Sequence, residues 1–374
     1  MATNLRTEEM ILNMGPQHPS THGVLRLLLI TDGEVVSEAE PHIGYLHRCA
    51  EKIGENVNYQ QFVPYTDRMD YLAGMNCNHA YSHAVERLMG LAIPERAEYI
   101  RILVLELNRI ASHLVAFGTY GLDIGAFTPF FYAFRERERI LDLFEELCGA
   151  RLTYNYVRIG GVMIDLPPGW LKKVEQFLDY FAPKIKEYDE LLSYNKIFIK
   201  RTASIGVLPA EIAVAWGVTG PNLRGSGITW DLRKDEPYSI YDRFQFDVPV
   251  GKGEMGTLGD CWDRYMVRIR EMKESVAILR QALAAIPEGP VMAEEMGKSV
   301  KVPAGELYTR VENPRGELGF WVVSNGKDTA IRCKVRAPSF CSMSVFKDLS
   351  RGAMIADLVA IIGSFDIVLG EIDR

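Results

Sequence analysis

An α+β chain, mainly α, is what the sequence predicts. Three observations point that way: a β-rich run with a turn signal near its start, helical periodicity over most of residues 42–286, and strand-like alternation returning between 304 and 336. At 374 residues the chain is long enough for two or three packed units, or for one large helical unit with an appended sheet. The expected division is an N-terminal β-sheet domain over 1–41 and a mainly helical body over 42–374.

In the first unit, Val24 to Ile30 is rich in strand formers, and Asp32-Gly33 before Val35-Val36 suits a tight hairpin turn. The segment ahead of it, Gly15-Pro16-Gln17-His18-Pro19-Ser20-Thr21-His22-Gly23, holds two prolines and two glycines and reads as a turn or loop. From about 42 to 150 the pattern is helical. Leu103, Leu107, Ile110 and Leu114 recur at spacings of four, three and four, Pro94-Glu95 suits a helix start, and Phe130 to Leu147 continues until Gly149. A third helical stretch spans about Trp170 to Tyr194. Residues 217–256, rich in glycine and proline, read as an extended excursion rather than core helices. A long helix is expected over 257–286, with Met266, Ile269 and Met272 on its apolar side. Strand patterns follow at Leu307–Val311, Gly319–Val323 and Ala330–Val335, then a helix at about 346–362 and an apolar run, Ile367-Val368-Leu369.

A composition of 48% hydrophobic and 24% charged residues is that of an ordinary globular protein, with no disordered tail implied. A net charge of −7, with no long Lys/Arg run, argues against nucleic acid as a partner, because phosphate binding needs a dense basic face. Met1 to Met10 is polar and charged, unlike a signal peptide, and no stretch approaches the ~20 apolar residues that cross a bilayer. The expectation is a cytosolic chain, or one held to a membrane only through partners. Cysteines at 49, 77, 148, 261, 333 and 341 form no C-x-x-C pair, so no local zinc or iron–sulfur motif is present and the thiols are expected to be reduced.

All seven histidines precede residue 114, so any imidazole chemistry is built from the first third. His18 and His22 lie on the Pro-rich loop, where Pro16 and Pro19 forbid a shared helix face; each is either a capped loop residue or a site residue. His79 and His83 are four apart on an expected helix, but Ala80 stands where a metalloprotease has Glu and no third ligand is in view, which favours ordinary helix-face histidines. Gly297-Lys298-Ser299 imitates the end of a phosphate loop, yet Met292 occupies the position of the required earlier glycine. Gly225-Ser226-Gly227 lacks the third glycine of the dinucleotide fingerprint, so direct NADH binding has no support. The run Arg135-Glu136-Arg137-Glu138-Arg139 reads first as a solvated face laced by i,i+4 pairs, with a partner interface as the other reading. Asp123 differs, being an acid among Leu122, Ile124, Ala126 and Phe127 just past an expected buried helix; it needs a partner, and a histidine is the obvious one.

Taken together, six segments make the chain resemble the quinone-reducing large subunits of respiratory complex I along nearly its whole length. The most specific is Gly15-Pro16-Gln17-His18-Pro19-Ser20-Thr21-His22-Gly23-Val24-Leu25-Arg26. Supporting segments are His42-Ile43-Gly44-Tyr45-Leu46-His47-Arg48, Thr66-Asp67-Arg68-Met69-Asp70-Tyr71, the stretch from Asp123 to Phe131, Leu223-Arg224-Gly225-Ser226-Gly227 and Gly370-Glu371-Ile372-Asp373-Arg374. That family shares its fold with nickel–iron hydrogenase large subunits, so the resemblance implies a hydrogenase-like helical core. The two metal-holding C-x-x-C pairs of a hydrogenase are absent: Cys49 has no partner three residues away and no cysteine follows 341. Cys49 also departs from the family, which more often has glycine there.

The resemblance implies that His22 and Tyr71 hydrogen-bond the two carbonyl oxygens of a quinone headgroup and that Asp123 pairs with His22. It also assigns His18, Arg48 and Thr119 to the quinone pocket or to the neighbourhood of a partner's cluster, with Arg48 near that cluster. Electrons would come from a 4Fe-4S cluster in a neighbouring subunit, this chain holding no metal. The implied partners are the small iron–sulfur protein (the B component of the complex), the C component, the membrane-embedded H component and membrane-embedded quinone, on the cytoplasmic face of the cell membrane. Two rivals stand beside this: an equivalent subunit of a complex fed by ferredoxin or another donor, and a scaffold that kept the fold without the site. The presence of His22, Tyr71 and Asp123 speaks against the scaffold.

Overall fold

The computed structural model describes residues 9–18, 21–294, 296–297 and 300–374. Most of Met1 to Met10, Pro19-Ser20 in the signature loop and Lys298-Ser299 of the phosphate-loop imitation lie outside the described residues.

The expected small sheet is present as three antiparallel strands in the order β1 (Glu9–Met14), β2 (Arg26–Asp32) and β3 (Val35–His42). Burial alternates along β2, with Leu27 and Leu29 inward beside Leu25, Val36 and Ala39, as a half-buried strand requires. The hairpin turn falls one residue later than expected. Asp32 pairs with Val35, leaving Gly33-Glu34 as the two-residue loop, and Gly33 takes the positive φ of +62° that such a turn needs. The Pro-rich loop connects β1 to β2.

Three long helices form the body: Glu95–Asp123, Thr128–Cys148 and Cys261–Ala285. Leu103, Leu107, Ile110 and Leu114 are fully buried. Glu95 and Glu98 occupy the first turn of their helix, where the macrodipole favours acids, and Gly149 closes the second at φ +74°. A short hairpin, β4 (Val157–Arg158) with β5 (Gly161–Val162), follows the second helix. Antiparallel strands β6 (Gly305–Asn313), β7 (Gly316–Ser324) and β8 (Ala330–Arg336) make the remaining sheet. Among the described residues, no helix is long and apolar enough to cross a membrane.

Four expectations need correction. The 170–194 stretch is a helix at Trp170–Phe181, broken at Pro183, then a short helix Lys184–Tyr188 and a π-turn Asp189–Ser193, because proline supplies no N–H to continue the ladder. The 217–256 segment lacks long helices, but the excursion passes through the interior: Arg224, Asp231 and Arg233 on it are buried and ion-paired. The expected helix at 346–362 splits into Phe346–Ser350 and Ile355–Phe365, after a short helix Pro338–Ser344 that the sequence pattern did not reveal. At the split, the backbone leaves the helix to bond β3: Val36 N–H donates to Ala353 O (2.9 Å) and Gly352 N–H to Val36 O (2.8 Å). In the charge run, Glu136 is fully buried, accepting from Tyr180 Oη, Tyr188 Oη and Arg135 Nε, and Arg137 is buried too, so only part of it is a solvated face.

Candidate functional site

His22 and Asp123, 101 residues apart in sequence, meet at 2.6 Å between Nε2 and Oδ2. Their side chains are 15% and 9% exposed, so the pair sits at the edge of the solvent rather than deep in the core. Asp123 is the last residue of the Glu95–Asp123 helix, not a residue just beyond it. His22 is held at φ +53°, a left-handed backbone uncommon for a side chain of its size, next to Gly23 at φ +130°. Burial pulls the imidazole pKa down. The Asp123 hydrogen bond and the charges of Asp123 and Asp366 outweigh burial and the opposing Arg315, leaving it above the usual 6.5. The partial negative charge at the helix end also favours a positive ring.

Tyr71 lies half-buried in the turn before the helix Gly74–Met89. Burial raises its phenol above the usual 10, with Arg315 and Arg48 opposing and Asp70 adding to the shift. His22 and Tyr71 therefore both feel Arg315. That guanidinium is buried; it donates to Asp70 Oδ2 (2.7 Å), Ser112 Oγ (3.1 Å) and Asp366 O (2.8 Å).

Residues 363–374 strap these pieces together. A Cβ on Gly363 would stand 2.8 Å from Asp123 Oδ2, one on Gly23 would stand 2.9 Å from Leu369 Cδ1, and one on Gly370 would stand 2.6 Å from Met69 O. Asp373 then accepts from Gly44 N–H (2.8 Å) and Leu46 N–H (2.7 Å), fixing the segment that carries Arg48. The glycines permit backbone contact that any side chain would prevent.

The other residues singled out by sequence are placed as follows. Arg48 is exposed, and its guanidinium donates to Arg68 O. Thr119 lies one turn before Asp123, its hydroxyl donating to Val115 O (2.8 Å). His18 is exposed on the His22 loop, its carbonyl accepting from Thr21 N–H (3.1 Å) and Thr21 Oγ1 (2.8 Å). His79 is buried and stacks on His83 with ring centres 5.6 Å apart; burial holds both rings neutral, His83 down to about 4. Among the described residues, no three His, Cys, Asp or Glu side chains are grouped to hold a metal ion.

Directly after Asp123, an apolar cavity of about 260 Å³ is lined by Ile124, Ala126, Pro129, Leu192 and Phe198 among others. A larger cavity of about 580 Å³, bounded by Asn58, Gln61, Arg158 and Met292, touches none of the site residues. Sequence reasoning missed Arg315, Asp366, Asn313 and Ser112. For Asp366 a signal was there: it stands among Phe365, Ile367 and Val368, the same acid-in-apolar context that singled out Asp123.

Known proteins resemble this chain along its whole length. A profile of the family described as respiratory-chain NADH dehydrogenase, 49 Kd subunit, matches residues 123–300 and 295–374. The chain is 57% identical over 374 residues to the NADH-quinone oxidoreductase D subunit of Chlorobium luteolum, covering 99% of this chain and 95% of that one. It is 54% identical over 369 residues to the corresponding D subunit of Bacillus cereus, covering 99% and 100%. A match of this extent and identity shows that the chain belongs to the family of the 49 Kd subunit of respiratory-chain NADH dehydrogenase.

Proposed function

We propose that the chain is the quinone-reducing subunit of a proton-translocating NADH-quinone oxidoreductase, with His22 and Tyr71 as the groups that bind and protonate the quinone and Asp123 as the partner of His22. The single observation that supports this best is the His22–Asp123 contact of 2.6 Å, largely buried but near the surface of the fold. Quinone reduction takes two electrons and two protons, and the unprotonated dianion is disfavoured where water is excluded. An imidazole whose positive form is favoured by its carboxylate is ready to donate at neutral pH. The Tyr71 phenol, kept protonated by burial, serves as the second donor. His18 and Thr119 contribute to the wall of the same pocket, and the apolar cavity beyond Asp123 takes part of the quinone's isoprenoid tail.

Electrons arrive from a 4Fe-4S cluster of the neighbouring small iron–sulfur protein, the B component, with Arg48 as the permanent positive charge facing it. The C component and the membrane-embedded H component are the other partners, and the complex places this chain on the cytoplasmic face of the cell membrane. The fold reading that goes with this is a hydrogenase large-subunit-like core over 42–374, carrying the 1–41 sheet domain.

The test compares NADH-to-quinone with NADH-to-ferricyanide activity in membranes carrying His22→Ala. The expected result is loss of the quinone reaction by about a hundredfold, with ferricyanide reduction kept. Survival of both activities sinks the assignment. Loss of both, with no assembled complex, makes His22 a folding residue and favours the scaffold.

A further inference from the structure

Behind Tyr71 lies a buried group of acids that this mechanism does not use. Asp70, Asp366 and Glu371 are all nearly or fully buried, and the guanidiniums against them are Arg315 and Arg268. Arg315 pairs with Asp70 at 2.7 Å and with Asp366 at 3.4 Å, while Arg268 reaches Asp366 at 3.6 Å. Glu371 is contacted instead by neutral donors. Its Oε2 accepts from Ser339 N–H at 3.1 Å, and its Oε1 faces Asn313 Nδ2 at 3.4 Å. The same Asn313 nitrogen lies 3.3 Å from Asp70 Oδ2, so one amide bridges the two carboxyls, and Asn313 Oδ1 is buried with no hydrogen-bond partner among the described residues. Other titratable groups near this pair among the described residues are the thiols of Cys77 and Cys341, both raised chiefly by burial, Asp67, which with Asp70 and Glu371 acts on Cys77, and Arg48, whose Nη2 lies near Gly370.

Within the buried group itself three acids face two guanidiniums, Arg48 being exposed and screened by water, and the excess negative charge left in that dry setting is relieved by keeping a proton. Burial and the neighbouring Asp70, against Arg315 and the Ser339 bonds, push Glu371 up to about 7, and Asp70 is raised as well. The proton therefore belongs to the pair. Asp70 is the residue immediately before Tyr71, and Arg315 acts on Asp70, Tyr71 and His22 alike.

We propose that the Asp70–Glu371 pair, bridged by Asn313, holds one proton behind the quinone site and returns it to Tyr71 after each reduction. This rests on the function proposed above. In the balanced step, quinone takes two electrons from the partner's cluster, one proton from His22 and one from Tyr71, giving quinol. The carboxyl O–H of the pair then breaks, the Tyr71 phenol O–H re-forms, and the pair regains its proton from water; no electron moves in this second step. Asp70 and Glu371 are positioning residues that act through Tyr71.

The test is Glu371→Gln in membranes carrying the assembled complex, measuring quinone and ferricyanide reduction across pH. Expected are unchanged ferricyanide activity, unchanged KM for quinone, and a kcat for quinone reduction lowered about tenfold above pH ~7 but less than about twofold at about pH 6, where solvent protons reload Tyr71 directly. A second variant, Ser339→Ala, removes a side-chain bond that favours the Glu371 carboxylate, and it should move the alkaline limb of the profile to higher pH. A wild-type profile in either variant, a pH-independent loss, or a change in KM alone overturns the proposal. If Glu371→Gln does not assemble, the Ser339→Ala profile decides by itself. A silent Glu371→Gln beside an inactive His22→Ala refutes only this inference, whereas a silent His22→Ala removes the reading beneath it.

Discussion

Among the described residues two histidine–carboxylate pairs stand out, and the pKa values of their rings are shifted in opposite directions. His22 meets Asp123 at 2.6 Å, and its pKa is raised; His113 meets Glu271 at 2.9 Å, and its pKa is lowered. The difference lies in what else each carboxylate and ring must face. Desolvation is the largest influence on both rings, but at the fully buried His113 it is reinforced by Arg109 and Arg268. Its carboxylate is already committed, since Glu271 Oε1 accepts from Arg224 Nη2 at 2.7 Å and Nε at 2.9 Å. That pair belongs to a buried ionic ladder that continues from Arg224 through Glu312 and Asp231 to Arg233 and Glu106. Asp123, by contrast, shares its contact with no arginine among the described residues, and both partners reach solvent. A hydrogen bond to a carboxylate does not by itself make a histidine a proton donor; the carboxylate must also be free of a competing cation.

Three substitutions test this contrast. The largest effect is expected for Glu271→Gln, which leaves the Arg224 guanidinium short of its main counter-ion and costs about 3–5 kcal/mol. It should appear as a sharply lower temperature of thermal inactivation and less assembled complex. Wild-type heat resistance would break the contrast, because the ladder would then not be structural. Next is Asp123→Asn, expected to lower quinone turnover by about tenfold or more with ferricyanide activity kept. Because the folded His22 pKa lies above its unfolded value, the Asp123 pair stabilises the fold fully below about pH 6.5 and loses that contribution as pH rises through the higher folded value. In Asp123→Asn the activity limb due to His22 should accordingly move to lower pH, and an unmoved limb would separate His22 from Asp123. The smallest effect is expected for His113→Gln, about 1 kcal/mol of stability with the pH profile of quinone reduction unchanged. A shifted profile there would mean that the ladder, too, exchanges protons.

The pieces of this picture that sequence made legible are those governed by local pattern. Alternation along β2, the 4-3-4 spacing of Leu103, Leu107, Ile110 and Leu114 and the helix stop at Gly149 all follow from neighbours in the chain. Asp123 was legible too, because an acid among apolar residues demands a partner and every histidine lies in the first third. What stayed hidden depends on partners far along the chain. Glu136 looks solvated until Tyr180 and Tyr188 are folded over it. The 346–362 helix looks continuous until Gly352 and Ala353 turn out to bond β3. Arg315 has no local mark at all, since its contacts come from residues 70, 112 and 366.

The attachment of β3 to residues 352–355 has a mechanical meaning. His22 rides on the loop between β1 and β2, whereas Asp123 ends a helix embedded in the body, so the two halves of the pair belong to separate pieces of the fold. The seam between those pieces includes the bonds of Val36 to Gly352 and Ala353 and the bond from Ile355 N–H to Glu34 O, just ahead of the Ile355–Phe365 helix that packs Gly363 on Asp123. A slide of the sheet by about 1 Å along the His22–Asp123 direction would carry that contact out of hydrogen-bond range. The spacing of the His22–Asp123 pair, and with it the charge on one imidazole, therefore depends on how firmly the small sheet is seated on the body.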